Sequence, residues 1–180
     1  MKNKQKANIR KIAGNIKLLI LDVDGVLTEG SITLDDKGNE YKSFFVRDGH
    51  GIKMLMRAGI EVAIITGRSS KVVEIRAREL GIKEVFQKCL NKIKAFDNLT
   101  QKYSLSANEV AYVGDDIVDV AVMRRVGLPV AVADADEGIK KYSLLVTKNR
   151  GGRGAVREVT DLILAAKGLW KGISDEYFKA

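Results

Sequence analysis

The chain has 180 residues, 46% hydrophobic and 30% charged, with a formal net charge of +8 and one cysteine, Cys89. That length suits one domain burying roughly 70% of its unfolded surface; a lone cysteine excludes an internal disulfide and suits a reducing cytosol, and no apolar run approaches the ~20 residues of a membrane span. The charge does not argue for nucleic acid, because six positives and no acid fall in residues 1–17, leaving +2 for residues 18–180.

Residues 1–15 therefore read as a basic, solvated or frayed extension without the apolar core of a secretory signal. Leu18-Leu-Ile-Leu21 is a short unbroken apolar run, which fits a strand buried on both faces of a parallel sheet. It stops at Asp22 and Asp24, followed by Gly25. Next come two β-rich stretches, Ser31–Leu34 and Glu40–Val46, around the turn residues Asp35-Asp-Lys-Gly-Asn39, a hairpin pattern. A helix is expected from Asp48, as N-cap, to Gly59. Ile60–Ile65 reads as the second central strand, ending in Thr66-Gly67-Arg68, and a helix from Ser69–Ser70 closes at Gly81.

Glu84–Phe86 is a short strand, Asn91–Tyr103 a helix, and Ser106-x-x-Glu109 a capping-box match before the strand Val110–Val113. That strand ends in Gly114-Asp115-Asp116, and a helix is expected from Ile117 to Val126. Leu128–Val132 and Ser143–Val146 are late strands, with Pro129 arguing for an edge position. Gly151-Gly-Arg-Gly154 precedes a last helix from Ala155 to about Lys167. Strands alternating with helices in this way predict an α/β fold, a Rossmann-like parallel sheet flanked by helices. The expected division is a single domain over 16–168 and a C-terminal tail over 169–180.

Polar chemistry sits at four strand-end positions: Asp22/Asp24, Thr66, Lys92 and Asp115/Asp116. Each has an ordinary reading alone. Asp-x-Asp-Gly makes turns, Thr66 is a strand-end hydroxyl, Lys92 a solvated helix start, and Asp115-Asp116 an acidic pair at a helix N-terminus. An EF-hand is excluded, since Leu27 and Thr33 stand where the loop counted from Asp22 needs Gly and Glu. In a parallel sheet the four ends converge on one edge, where ligands bind.

In that order the residues resemble the haloacid dehalogenase superfamily: Asp22-Val-Asp24-Gly-Val-Leu-Thr28, Ile64-Ile-Thr66-Gly-Arg68, Asn91-Lys92, and Gly114-Asp-Asp116 with Asp119. Val46-Arg-Asp-Gly49, Ala111–Asp116, Val130–Ala135 and Gly151–Glu158 are similar to its 3-deoxy-D-manno-octulosonate 8-phosphate phosphatases, and the likeness runs from Ile16 to Lys167. The resemblance implies a phosphatase working through an aspartyl-phosphate on Asp22, with Asp24 as general acid and base. It implies Mg²⁺ held by Asp22, the Asp24 carbonyl and Asp115, with Asp116 and Asp119 supporting them. Lys92 and Thr66 would hold the phosphate, and Asp24, Arg47, Asp48, Gly49, Lys53, Gly67, Arg68 and Arg76 would face the substrate. Lys53 stands where arginine is usual, and Lys88-Cys-Leu90 departs from the more polar loop expected.

Only 24 positions separate Asp24 from Asp48, so the hairpin is a flap in the place of a cap domain. The resemblance then implies a homotetramer whose neighbours cover each site, with the flap or the C-terminal tail as cover, and a cytoplasmic enzyme of lipopolysaccharide precursor synthesis. No membrane or nucleic-acid partner is expected. Two other readings stay open on the sequence alone: a phosphatase for another nonulosonate or small sugar phosphate, and a non-catalytic receiver or scaffold domain phosphorylated on aspartate.

Overall fold

A computed structural model describes residues 2–178. Six strands form one parallel sheet in the order β5-β4-β1-β6-β7-β8: β1 Leu18–Leu21, β4 Glu61–Ile65, β5 Glu84–Phe86, β6 Val110–Gly114, β7 Leu128–Ala131 and β8 Leu145–Val146. β2 Thr33–Leu34 and β3 Glu40–Tyr41 pair antiparallel as a separate hairpin. β1 is fully buried and lies between β4 and β6, with Leu21 level with Ile64 on one side and Val113 on the other. Chain order leaves β1 in both directions, so its C-terminal end is the switch point of the sheet.

Helices α2 Val46–Arg57, α3 Lys71–Leu80, α4 Lys92–Lys102, α5 Val120–Met123, α6 Glu137–Lys140 and α7 Ala155–Ala166 make the connections and the final cover. α2 packs on α7 and α3, and α4 packs on α5. The core gathers Leu18 to Leu21, Ile64, Ile65, Tyr112, Ile52, Leu55, Val156 and Ile163, all essentially inaccessible.

Four expectations are corrected. Residues 2–15 are not frayed: α1 Lys2–Asn15 lies on α7, with Ala13 and Ile16 buried and Ile9 and Ile12 packed against the core. The Lys167 ammonium donates to the Gly14 carbonyl at 3.0 Å, fixing the end of α1. α2 starts at Val46, because the Asp48 carboxylate does not cap its own helix. It accepts from the N–H groups of Gly154 (3.2 Å) and Arg157 (2.7 Å), the first turn of α7. The stretch after Asp116 is a tight 3-10 turn over Ile117–Asp119 followed by the short α5, since the Asp119 side chain turns inward to hold backbone N–H groups. Pro129 is not on an edge strand. β8 pairs only with Val130 and Ala131, so the missing N–H falls where that ladder begins. The tail forms α8 Trp170–Phe178, and the Arg157 guanidinium lies 5.8 Å from the Trp170 ring centre.

Candidate active site

β1 delivers Asp22 to the switch point, where its backbone N–H still bonds to Val113 at 3.1 Å. One Asp22 oxygen accepts from the Val23 N–H at 2.7 Å, and the other lies 2.8 Å from the Lys92 ammonium. Lys92 is the first residue of α4, whose N-cap Asn91 accepts from the Ile93 N–H. From there its side chain passes into the core and also reaches Asp119 (2.7 Å) and the Tyr112 hydroxyl (3.2 Å). Tyr112 in turn donates to Asp119 at 2.5 Å. Asp119 is fully buried and accepts as well from the N–H groups of Asp115 (2.9 Å) and Asp116 (3.3 Å). Asp119 thus sets the loop that carries Asp115, while exposed Asp116 caps the turn through the Ile117 N–H.

Oxygens of Asp22, Asp115 and Asp119 lie within 4.8 Å of one another. Three carboxylates around one lysine leave surplus negative charge. Burial, working against Lys92 and with Asp119, pushes the Asp22 carboxyl up to about 6. Burial and then Asp119, Asp22 and Asp116 push Asp115 up to about 7. For Lys92, burial pulls downward, but Asp22 and Asp119 more than offset it and hold the ammonium above its usual range. A carboxylate set with this surplus, made of hard oxygen donors, fits a divalent cation such as Mg²⁺.

The backbone is shaped for the same purpose. Gly25 has φ of 88°, and a Cβ there would fall 2.0 Å from an Asp115 oxygen. Only glycine lets the loop after β1 pass under that carboxylate. The Gly151–Gly154 loop packs on the same turn: a Cβ on Gly151 would lie 1.6 Å from the Gly25 carbonyl oxygen, and the Gly152 N–H bonds to Val26 at 2.8 Å. Asp134 holds this loop by accepting from the Gly151 N–H at 2.9 Å.

Thr66 is buried one residue past β4, beside Val23 if the β1–β4 register is continued, and its hydroxyl accepts weakly from the Arg68 N–H at 3.4 Å. Gly67 follows it in the same turn. Asp24 points to the hairpin, where it pairs with Lys42 and, at 3.6 Å, with Arg68. Arg47 is exposed at the start of α2, in a groove with Lys148, Arg153 and Arg157. Arg76 lies over the Phe44 ring at 5.6 Å and pairs with Glu79; Gly49 makes room for it, since a Cβ there would meet the guanidinium at 2.4 Å.

Several expected substrate contacts are not brought to this cluster: Arg47, Gly49 and Arg76 have the surroundings just given, and two more lie elsewhere. Asp48 serves α7, and Lys53 lines a groove with Ile60, Glu61 and Lys83 at the N-terminal end of β4, the far edge of the sheet. Three residues to which the sequence assigned no role do belong here. Tyr112 lay inside the Ala111–Asp116 stretch that carries the family likeness, as a polar side chain in an apolar strand, and Lys42 stood only as the charge alternating with Glu40 ahead of Phe44. Asp134 lay inside the Val130–Ala135 stretch that carries the family likeness, but with no role of its own.

A profile of the haloacid dehalogenase-like hydrolases matches residues 70–159. The 3-deoxy-D-manno-octulosonate 8-phosphate phosphatase KdsC of Escherichia coli (strain B / BL21-DE3) is 52% identical over 162 residues, covering 90% of this chain and 86% of that protein. The crystal structure of the corresponding phosphatase from Yersinia pestis superposes with a TM-score of 0.91 at 47% identity, covering 92% and 89% of the two chains. That from Moraxella catarrhalis, solved with magnesium ion, phosphate ion and a KDO molecule, gives 0.92 at 40% identity, covering 94% and 97%. The chain belongs to the haloacid dehalogenase-like hydrolases, and within them it groups with the 3-deoxy-D-manno-octulosonate 8-phosphate phosphatases.

Proposed function

We propose that this protein is a Mg²⁺-dependent phosphatase that converts 3-deoxy-D-manno-octulosonate 8-phosphate to the free sugar acid and phosphate. The observation that carries this is the gathering of Asp22, Asp115 and Asp119 at the switch point of the sheet, with the Lys92 ammonium bonded to Asp22 and Asp119. Phosphate monoesters hydrolyse extremely slowly in water, so the site has to orient a nucleophile and absorb charge. Asp22 attacks phosphorus and carries the phosphoryl group as an aspartyl-phosphate. Asp24, two residues on, gives a proton to the leaving sugar oxygen and later takes one from the water that cleaves the intermediate. Lys92 balances charge on Asp22 and on the transferring group, and Thr66 with the adjoining N–H groups holds phosphate oxygens. Mg²⁺, held by Asp22, the Asp24 carbonyl and Asp115, supplies the positive charge that lets a phosphate dianion approach a carboxylate.

Arg47, Arg68 and Arg76 are the cations offered to the sugar-acid carboxylate, which arginine binds through two parallel hydrogen bonds. Residues 16–168 are the catalytic unit, with α1 and α8 as additions to it. The hairpin exposes Ile32, Leu34 and Tyr41, and Val46 beside it is 78% exposed. This apolar load fits a homotetramer in which the flap, and the C-terminal tail, sit against neighbouring sites. A chain with one cysteine, making a precursor sugar from a phosphorylated metabolite, fits the cytoplasm. Phosphate release from the sugar-acid 8-phosphate, with and without Mg²⁺, tests the reading against other nonulosonate and small sugar phosphates. A preference for one of those would change the substrate, and no release from any would remove the activity.

A further inference from the structure

Lys42 directly follows the return strand of the hairpin, one residue past the exposed Tyr41, yet its side chain is only 1% exposed. An ammonium is expensive to bury unless its charge is matched. Lys42 is matched twice: it donates to one Asp24 oxygen and lies 3.3 Å from Glu40. Arg68 closes the ring from the loop after β4, with Nε 3.6 Å from the other Asp24 oxygen and Nη2 3.0 Å from Glu40. Two carboxylates and two cations therefore alternate in a ring between the hairpin and the loops after β1 and β4, and each Asp24 oxygen faces a different cation.

The hairpin has little else to fix it. Its strands are two residues each, paired only with one another, a size that is marginal in water. Its tip is organised locally, by Asp35 accepting from the Lys37, Asn39 and Tyr41 groups. What ties its base to the site is Lys42 together with the Glu40–Arg68 pair, with Phe44 packed on the core just beyond. A proton donor works only within hydrogen-bond reach of the leaving oxygen, and a misplacement of about 1 Å costs on the order of a hundredfold.

We propose that Lys42 is a positioning residue: it holds the Asp24 carboxylate at the leaving-group side of the site and makes that placement depend on the seating of the hairpin. This rests on the phosphatase reading above, in which Asp24 protonates the leaving group. The step through Asp24 matters most for a basic leaving group. Phenyl phosphate and p-nitrophenyl phosphate have nearly the same shape, but only the first leaves as a strongly basic oxyanion.

The experiment compares kcat/KM for these two esters in the Mg²⁺-loaded full chain. Lys42→Met should lower the value for phenyl phosphate about tenfold or more and that for p-nitrophenyl phosphate no more than about threefold. Lys42→Arg should recover part of the loss. In an Asp24→Asn background, Lys42→Met should add less than about twofold, because the residue through which it acts is gone. Equal losses on both esters, or losses that multiply in the double variant, would overturn the proposal and make Lys42 a structural or substrate-binding group. Where Lys42→Met does not fold, Glu40→Gln loosens the same ring, and a loss confined to phenyl phosphate supports the proposal while an equal loss overturns it. A wild-type protein without Mg²⁺-dependent hydrolysis of any phosphomonoester would instead overturn the phosphatase reading itself.

Discussion

Asp22 and Lys92 form a buried ion pair 2.8 Å long, with 9% and 2% of their side chains exposed. The pair is asymmetric in its other partners. Lys92 has Asp119 as a second counter-charge, whereas Asp22, Asp115 and Asp119 share this one lysine. Removing one member or the other should therefore have opposite consequences for folding.

Asp22→Asn removes a carboxyl already pushed up to about 6 and leaves Lys92 paired with Asp119. It should fold with unchanged or slightly higher stability while turnover drops roughly a thousandfold or more, because no nucleophile remains. Lys92→Ala strands three carboxylates together and should cost roughly 3 kcal/mol or more at pH 8 in EDTA. Denaturant unfolding of the two variants, beside phosphate release, checks both halves. Near wild-type turnover in a folded Asp22→Asn protein would take the nucleophile away from Asp22.

The same crowding makes metal binding readable without any substrate. Mg²⁺ should raise the melting temperature, with a stabilisation of about 2.7 kcal/mol at a hundred times its Kd. Protons compete for Asp22 and Asp115, whose carboxyls stand at about 6 and about 7. Affinity should therefore rise with pH and weaken steeply below about 6. EDTA should abolish activity and Mg²⁺ restore it. Full activity in metal-stripped protein, or an Mg²⁺ melting shift that persists in Asp115→Asn, would exclude this cluster as the site.

Asp22, Thr66, Lys92 and Asp115 were legible in the sequence because parallel strand ends must share an edge, so residues far apart in the chain become neighbours by topology alone. The helix α1 has a signal too, since Ile9, Ile12 and Ala13, with Ile16 just beyond its end, have helical spacing, but so narrow a stripe is masked by the basic composition around it. Asp48 shows what a sequence hides. It stands where an N-cap belongs, and nothing local says that the capped helix is α7, more than a hundred residues on. Lys42 is hidden in another way, as one of 31 basic residues whose burial depends on where the hairpin folds back. Lys53 matched by position, but α2 carries it toward the far edge of the sheet.

Burial, opposed by the Arg157 and Gly154 N–H groups and the Arg157 charge, raises the Asp48 carboxyl from 3.8 to about 6. A carboxyl that binds its proton more tightly when folded adds stability at low pH. That contribution is full below about 4 and is lost as pH rises through about 6. Asp48→Asn cannot titrate. The stability of wild type relative to this variant should fall by up to roughly 3 kcal/mol between pH 4 and pH 7. Urea unfolding at several pH values measures the difference, and a gap that stays flat or widens with pH would contradict the assignment.

The exposed apolar residues of the hairpin, Ile32 at 56% and Leu34 at 59%, should be covered in solution. Light scattering should give a tetramer. Ile32→Asp with Leu34→Asp should shift it toward smaller species and reduce turnover, because a site without a cap domain then loses its cover. A fully active monomer at working concentration would refute the assembly.

Two glycines that look alike in the sequence, Gly151 and Gly172, differ in what surrounds them. A Cβ on Gly151 would fall 1.6 Å from the Gly25 carbonyl oxygen, backbone against backbone, so one loop or the other has to move. The Gly25 turn is the one beneath Asp115, and the Gly152 N–H bond to Val26 couples the two loops. Displacement here therefore reaches the carboxylate cluster. Gly151→Ala should cost about 1–3 kcal/mol as overpacking and lower turnover and Mg²⁺ affinity together. Gly172, in α8, has open space where a Cβ would go. Gly172→Ala should leave the site untouched and stabilise by up to about 1 kcal/mol, the helix-propensity difference. Melting curves with and without Mg²⁺ for both variants decide it. A Gly151→Ala protein that matches wild type in stability and in metal response would mean that this loop does not set the geometry around Asp22.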